Sequence, residues 1–257
     1  MFKVIGCQVV GVFFMLSVLN PAWAGDAEQA EQIVKRADHY RLPLAAAKVV
    51  SNVQQFESAK VKKVHLYDVY IKPGRQSFIL FRNGSENTQR LLMLQEKYWM
   101  LMPNTRRPIR ITPIQKLLGE AAVGDVSTLT WSEDYNASIL DANYQLDGVA
   151  AIQLELIAHT EGATYSKVML VVDRQSNFPL KAELYLMSGK LAKIAYFQAA
   201  DNPSPGSGLT VKAMRLVDAI QKNRETRITY QSIESVALPD KYYNPAYLSR
   251  FSVKELL

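Results

Sequence analysis

PLKAELYLM, residues 179–187, alternates apolar and polar side chains, as a β-strand with one buried face does. VAAIQLELIA, residues 149–158, repeats the alternation, with Ile152, Leu154 and Leu156 opposite Gln153 and Glu155. Charged residues occupy the second face of both segments, so that face meets water and the leucine-rich face points inward. These two segments predict an antiparallel sheet with an apolar inner side.

Further strand candidates extend this pattern through most of the chain. They are Val61–Ile71, Gln76–Arg82, Thr88–Gln95, Lys97–Met102, Arg106–Thr112, Ser138–Leu146, Tyr165–Asp173, Lys190–Gln198, Leu209–Val217 and Thr226–Ile233. The connections are short, which favours antiparallel neighbours in a meander. Because twist accumulates from strand to strand, a sheet of this size curls strongly. It then either closes on its own side chains or leaves a cavity.

Helical patterns are few. Asp26–Tyr40 has apolar residues at three- and four-residue spacing, with Asp26 as a plausible N-cap and Pro43 beyond its end. Residues 113–118 suggest one helical turn in a loop that runs to residue 135, and Tyr242–Phe251 suggests a last turn. The fold class is therefore mainly β, with one helix and short helical turns covering the concave apolar face.

The first 24 residues have the order of a secretory signal peptide. Lys3 is followed by an apolar run from Val4 to Leu19, and Ala22-Trp23-Ala24 has the small-x-small form of a cleavage site. We expect cleavage after Ala24 and a single domain over residues 25–257; an uncleaved anchor helix is the alternative. Cys7, the only cysteine, would leave with the signal, so the mature chain would hold no disulfide.

Charge and motifs indicate no catalytic or metal chemistry. The formal charge is +6, but 24 acidic residues are spread among 30 basic ones, which favours a solvated mixed surface over a nucleic-acid patch. His39, His65 and His159 lie far apart in the sequence, without the spacing of metal ligands. No nucleophile–base arrangement is visible. We therefore expect no enzyme activity, no metal, no cofactor and no nucleic-acid partner.

The densest apolar segment is YWMLM, residues 98–102, followed by Arg106, Arg107 and Arg110. Large side chains on both faces are typical of a core strand covered on two sides. The alternative is that part of this surface lines a pocket for a long apolar ligand. The arginines could then meet an acidic headgroup, although solvated charges at a strand edge explain them equally well.

The mature chain resembles the LolA-like family of periplasmic outer-membrane lipoprotein-sorting proteins, and in particular its longer, uncharacterised branch. The matching pieces, in order, are DHYRLP (38–43), YWMLMP (98–103), DRQSNFPLK (173–181), SGKL (188–191) and YNPAYLSR (243–250). One departure is clear: LLGE (117–120) and VGD (123–125) replace a Phe-Met-Gly-Ser-Asp-like stretch.

The resemblance implies an incomplete antiparallel β-barrel with helices against its concave side and an apolar cavity for acyl chains. It implies a soluble periplasmic carrier of acylated lipoprotein or lipid, with an inner-membrane transporter as a candidate partner. We expect a monomer. The alternative is a periplasmic sensor or adaptor that recognises a protein partner or a mislocalised lipoprotein. The residues expected at the cavity are Trp99, Leu101, Ile152, Leu154, Leu156, Leu170, Leu184, Leu186, Ile194 and Tyr196, with Arg106, Arg107 and Arg110 as headgroup contacts.

Overall fold

The structure is a computed structural model that describes residues 22–82, 89–200, 208–250 and 256. All of the expected signal peptide except residues 22–24 lies outside the described residues, so cleavage after Ala24 stays a prediction. Within the described ranges, no helix is long and apolar enough to cross a membrane.

One curved antiparallel sheet, not closed into a barrel, dominates the molecule. Its strands are β1 Ala47–Glu57, β2 Lys60–Lys72, β3 Gln76–Phe81, β4 Arg90–Leu94, β5 Lys97–Leu101, β6 Ile109–Ile111, β9 Tyr135–Asp141, β10 Gln145–Leu146, β11 Val149–Ala158, β12 Lys167–Asp173, β13 Pro179–Tyr185, β14 Leu191–Ala199, β15 Val211–Asp218 and β16 Arg224–Glu234. They follow the order β10-β11-β12-β13-β14-β15-β16-β1-β2-β3-β4-β5-β6, and β9 pairs with β11. A separate two-stranded hairpin contains β7 Lys116–Leu118 and β8 Ala121–Ala122. The predicted curved meander is confirmed.

The central strand β1 was not predicted from the sequence. It pairs with β2 on one side and with β16 on the other, and so joins the first and last strands of the main series. Ala47, Val49, Ser51 and Val53 point to its buried side. The polar Ser51 in this row, and the polar residues that follow Val53, weaken the alternation that marks the other strands.

The long helix α1, Ala22–Arg41, lies against the inner face of the sheet. Its buried stripe is Ala30, Ile33, Val34 and Ala37, one side of a 3.6-residue period. The helix begins before Asp26, so Asp26 is not its N-cap. No proline between residues 22 and 26 prevents this extension.

Two cores lie on opposite faces of the sheet. The larger one, on the inner face, joins α1 with side chains such as Val53, Leu154 and Leu170. The smaller one, on the outer face, joins Phe78 and Leu92 with the C-terminal residues Tyr242, Tyr243 and Leu248. Short 3-10 helices at Asp240–Tyr243 and Pro245–Tyr247 form this C-terminal cover. The predicted last helical turn is therefore present, but it covers the outer face and not the concave one.

Candidate functional site

A separate segment fills the inner face of the sheet. This segment, residues 113–131, is called the plug; it contains the β7–β8 hairpin and the short helix α2, Val123–Ser127. Its apolar side chains join the inner core: Leu118, Ala121, Val123, Val126, Leu129 and Trp131. The predicted helical turn at residues 113–118 is wrong, because residues 116–118 form a strand and the helix comes five residues later.

Two glycines let the plug approach its surroundings closely. Gly119 has a φ of +55°, which a residue with a side chain rarely adopts, and it turns the β7–β8 hairpin against Gln55 and Thr226. A Cβ placed on Gly124 would lie 1.7 Å from Oγ1 of Thr164, far inside van der Waals contact. The plug is therefore seated without spare room at this point.

Buried polar contacts hold the plug to the sheet. Lys193 of β14 points to the inner face, where its ammonium group lies 3.1 Å from Oδ2 of Asp125 and also donates to the carbonyl oxygen of Glu120. The Tyr165 hydroxyl donates to the same Asp125 carboxylate at 3.0 Å, and the Ala122 N–H donates to it at 2.8 Å. Both hydrogen-bonding partners of Lys193 belong to the plug, and its ammonium group also lies 5.5 Å from the centre of the Tyr165 ring.

The last turn of α1 holds the other end of the plug. The N–H groups of Trp131 and Ser132 donate to the Asp38 carboxylate at 2.7 Å and 2.8 Å. Burial raises the pKa of Asp38 from 3.8 to about 6, and these hydrogen bonds and nearby Arg41 oppose the rise. The Arg41 guanidinium lies 4.1 Å above the centre of the Trp131 ring.

Five of the ten predicted cavity residues do share the inner face. Ile152, Leu154, Leu156, Leu170 and Leu184 are all buried in the inner core. Cross-strand pairing brings Leu154 opposite Leu170 and places Leu184 opposite Lys193. Together these side chains form a continuous apolar surface beneath α1 and the plug.

Four other predicted cavity residues lie on the outer face. Trp99 packs in the outer core, and Leu101 pairs with Arg90, whose guanidinium reaches the carbonyl oxygen of Leu248 in the C-terminal cover. Ile194 and Tyr196 alternate with the inward-pointing Lys193 and Ala195, so they face outward. The apolar character of Ile194 and Tyr196 suggests the inner face, but the inward row of β14 contains Lys193. The two-sided burial of β5 confirms the core-strand interpretation for residues 98–101, whereas Met102 lies beyond the strand and is exposed.

The predicted headgroup arginines also lie away from the inner face. Arg106 and Arg107 are exposed in the loop before β6. Arg110 stacks on the outer-face side chain of Trp99, with 4.7 Å between its guanidinium carbon and the ring centre. The structure therefore does not bring these arginines together with the inner apolar surface.

The tenth predicted residue, Leu186, lines an open groove at one end of the sheet. The groove has a volume of about 910 Å³ and is bordered by Ile114, Ile157 and Met187. A small void of about 40 Å³ lies deeper, between the plug and the sheet, beside Arg41, Leu184 and Phe197. Thr164 and Tyr165 border both spaces, so the groove lies next to the interior.

The apolar alternation in the sequence does not reveal the polar residues of this site. Asp38, Arg41, Asp125 and Lys193 are all buried. The register of β14 contained a signal, because Lys193 stands in the same row as Ala195 and Phe197. In the described part of the chain, no three His, Cys, Asp or Glu residues come together in a way that could hold a metal ion.

The open, curved antiparallel sheet of this chain is similar to that of known LolA-like structures. A LolA superfamily protein from Nitrosomonas europaea has a similar structure, with a TM-score of 0.76 and 28% identity over 84% of this chain and 97% of its own. A domain described as an outer-membrane lipoprotein-sorting protein, from Vibrio parahaemolyticus, gives a TM-score of 0.68 at 17% identity over 87% of this chain and 100% of its own.

A third structure, of a DUF1329 family protein from Desulfovibrio piger, gives a TM-score of 0.68 at 17% identity, covering 87% of this chain and 99% of its own. A family model described as an uncharacterized protein matches residues 74–250, more than half of the chain. The chain belongs to this family, and its fold is similar to that of LolA superfamily proteins. The comparison with curated protein sequences gives no match.

Proposed function

We propose that this chain is a soluble periplasmic carrier that binds the acyl chains of a lipoprotein or lipid on the inner face of its sheet. The observation that carries the proposal is the plug: a separate segment, and not the side chains of the sheet alone, fills the apolar interior. In this account the acyl chains and the plug compete for the same surface, and the described conformation is the closed one.

The acyl chains and the plug would both be held on the inner face by the burial of apolar surface. Exposing an acyl chain to water costs about 0.8 kcal/mol per methylene, so a sixteen-carbon chain costs on the order of 12 kcal/mol. The plug buries its own apolar side chains in the same place, and its return would help to expel the cargo. A carrier needs this balance because cargo that is bound too tightly cannot be released.

The local structure of the plug suits exchange. Its hairpin has strands of three and two residues, and α2 has five residues. Elements this short are not stable alone, so the plug takes its shape from the surface it covers. The groove beside it exposes Ile114, Ile157 and, at 95% exposure, Met187, which offers an apolar path to the interior.

The description of a similar structure supports an acylated cargo. One similar structure is described as an outer-membrane lipoprotein-sorting domain. By analogy we propose that the cargo moves between the two membranes, with an inner-membrane transporter as the donor and a monomeric carrier. Export by the N-terminal signal segment would place the chain there.

Lipid extraction tests the proposal. The protein is exported with its own signal segment, purified without strong detergent, and extracted with organic solvent for mass spectrometry. A stoichiometric acylated species supports the carrier. Protein that carries no acylated species, and that takes up none from acyl-lipid vesicles, contradicts it; capture of one soluble protein partner by such empty protein would favour a sensor or adaptor.

A further inference from the structure

Two cations line the interior that the plug now closes. The side chain of Lys193 is 4% exposed, and the whole of Arg41 is 3% exposed. Lys193 stands in the inward row of β14, directly opposite Leu184, where the fold alone would favour an apolar residue. Arg41 ends α1 and borders the small void together with Asp125, the partner of Lys193.

Only the plug neutralises Lys193 among the described residues. Its ion pair with Asp125 and its hydrogen bond to the Glu120 carbonyl oxygen are both contacts to plug atoms. When the plug leaves, Lys193 loses both. An acyl chain in the place of the plug would leave this charge buried without a partner, which is strongly unfavourable, so a bound cargo needs an anion at this position.

Arg41 points to the same requirement from an independent observation. Its Nε and Nη1 are buried and have no hydrogen-bond acceptor among the residues that the structure describes. Asp38, which interacts electrostatically with Arg41, already accepts the N–H groups of Trp131 and Ser132. The buried hydroxyl of Tyr230 interacts with the Arg41 side chain, but within the described ranges it makes no hydrogen bond of normal geometry, so it could also donate to the same anion. The guanidinium therefore retains unused donors beside the void.

We propose that the headgroup of the cargo carries an acidic group, a phosphate or a carboxylate, and that this anion replaces Asp125 between Lys193 and Arg41. The proposal rests on the carrier function proposed above. The acyl chains would lie on the leucine surface, and the anion would sit where the void is now. A guanidinium and an ammonium group together suit such an anion, because both donate charged hydrogen bonds.

The buried cations and the surface arginines differ in how strongly they would discriminate between headgroups. Arg106 and Arg107 are exposed and would attract any anion weakly in water, where salt screens them. The buried pair would discriminate between headgroups because a neutral headgroup leaves both cations unpaired. Selectivity, and not only affinity, is therefore the property to measure.

Pairs of lipids that have one acyl chain and differ in headgroup charge test this selectivity on the full mature protein. Binding of 1-oleoyl-lysophosphatidate is compared with that of 1-oleoylglycerol, and oleate with oleyl alcohol, by displacement of a fluorescent apolar dye. We expect each acidic probe to bind roughly thirtyfold more tightly than its neutral match, since hydrogen bonds to charged groups are strong. The phosphate and carboxylate arms tell the two acidic groups apart.

Two variants assign the effect to the interior. Lys193→Met combined with Asp125→Asn removes a cation without leaving its buried partner charged, and Arg41→Met removes the second cation. Because the readout is a ratio measured on one protein, a partial loss of stability cancels. We expect both variants to lower the preference to within about threefold, whereas Arg106→Gln with Arg107→Gln leaves it unchanged.

The outcomes are distinct. Equal binding of acidic and neutral probes by the natural chain overturns this inference and leaves the carrier proposal standing. A preference that survives in both interior variants, or that disappears in the surface double variant, also overturns it. If no probe binds at all, the carrier function itself fails.

Discussion

Replacing Gly124 by Ala is expected to unseat the plug and open the interior. A Cβ on Gly124 would lie 1.7 Å from Oγ1, 2.9 Å from Cβ and 3.1 Å from Cγ2 of Thr164. Rotating the threonine moves Oγ1 but leaves its Cβ too close. The added methyl group therefore cannot be accommodated while α2 stays where it is.

The size of the effect follows from the overlap. Overpacking of a tight site costs typically about 1–3 kcal/mol, and this contact belongs at the upper end. The gain in helix propensity from glycine to alanine within α2 is less than about 1 kcal/mol and does not offset it. A shift of about 3 kcal/mol toward the open state tightens the apparent affinity for an interior ligand by up to about a hundredfold if the closed state predominates.

The assay is titration with N-phenylnaphthylamine, a dye that fluoresces in apolar surroundings. Gly124→Ala should bind the dye at least about tenfold more tightly than the natural chain. The double variant Gly124→Ala/Thr164→Gly removes every threonine atom that clashes, so its affinity should return toward the natural value. Unchanged dye binding by the single variant, in a folded protein, would refute the reasoning that the plug covers the site.

Three further predictions address other parts of the molecule. Leu184→Glu should abolish acyl binding while most of the fold remains, because a carboxylate beside Lys193 enters the apolar surface; Ile194→Glu, on the outer face of the next strand, should bind normally in the same dye titration. Urea denaturation of the natural chain should show that up to about 3 kcal/mol of stability, present below pH 3.8, is lost as the pH rises through about 6, because the folded-state pKa of Asp38 is raised, and Asp38→Asn should lack this component. Trp99→Ala should cost about 2–3 kcal/mol, less than for a fully buried aromatic side chain, and should loosen the C-terminal cover without altering acyl binding; hydrogen exchange of residues 240–248 would reveal the loosening, and lost acyl binding would contradict the outer-face assignment.

The regular strands were predictable because a single physical pattern determines them. β11 has the predicted bounds of Val149–Ala158, and β13 begins at the predicted Pro179. In both strands the inward residues are apolar, and the middle of the outward row is polar, with Gln153 and Glu155 in β11 and Lys181 and Glu183 in β13, so burial and sequence agree there. The sequence does not predict β1, because its inward row includes Ser51, which is buried although it is polar.

The site was predictable only in part, for a reason that lies in its chemistry. The alternation of Leu154, Leu170 and Leu184 with outward-facing residues predicts an apolar inner surface. Lys193 interrupts this pattern, and its counter-charge, Asp125, comes from a distant segment that the sequence does not mark as internal. Long-range ion pairs of this kind leave no periodic signal. The outer cover over Trp99 was hidden for the same reason, because it depends on where the C-terminal residues return to the sheet.

Hydrogen–deuterium exchange of the plug, with and without an acyl ligand, tests the central claim most directly. Backbone amides such as that of Glu120, which donates to Oγ1 of Thr226, and that of Trp131, which donates to Asp38, report on the closed state. Saturation with oleoyl-lysophosphatidate should speed exchange throughout residues 113–131 while the amides of β11 and β13 stay protected. Bound ligand with unchanged or slower exchange in the plug would contradict the account.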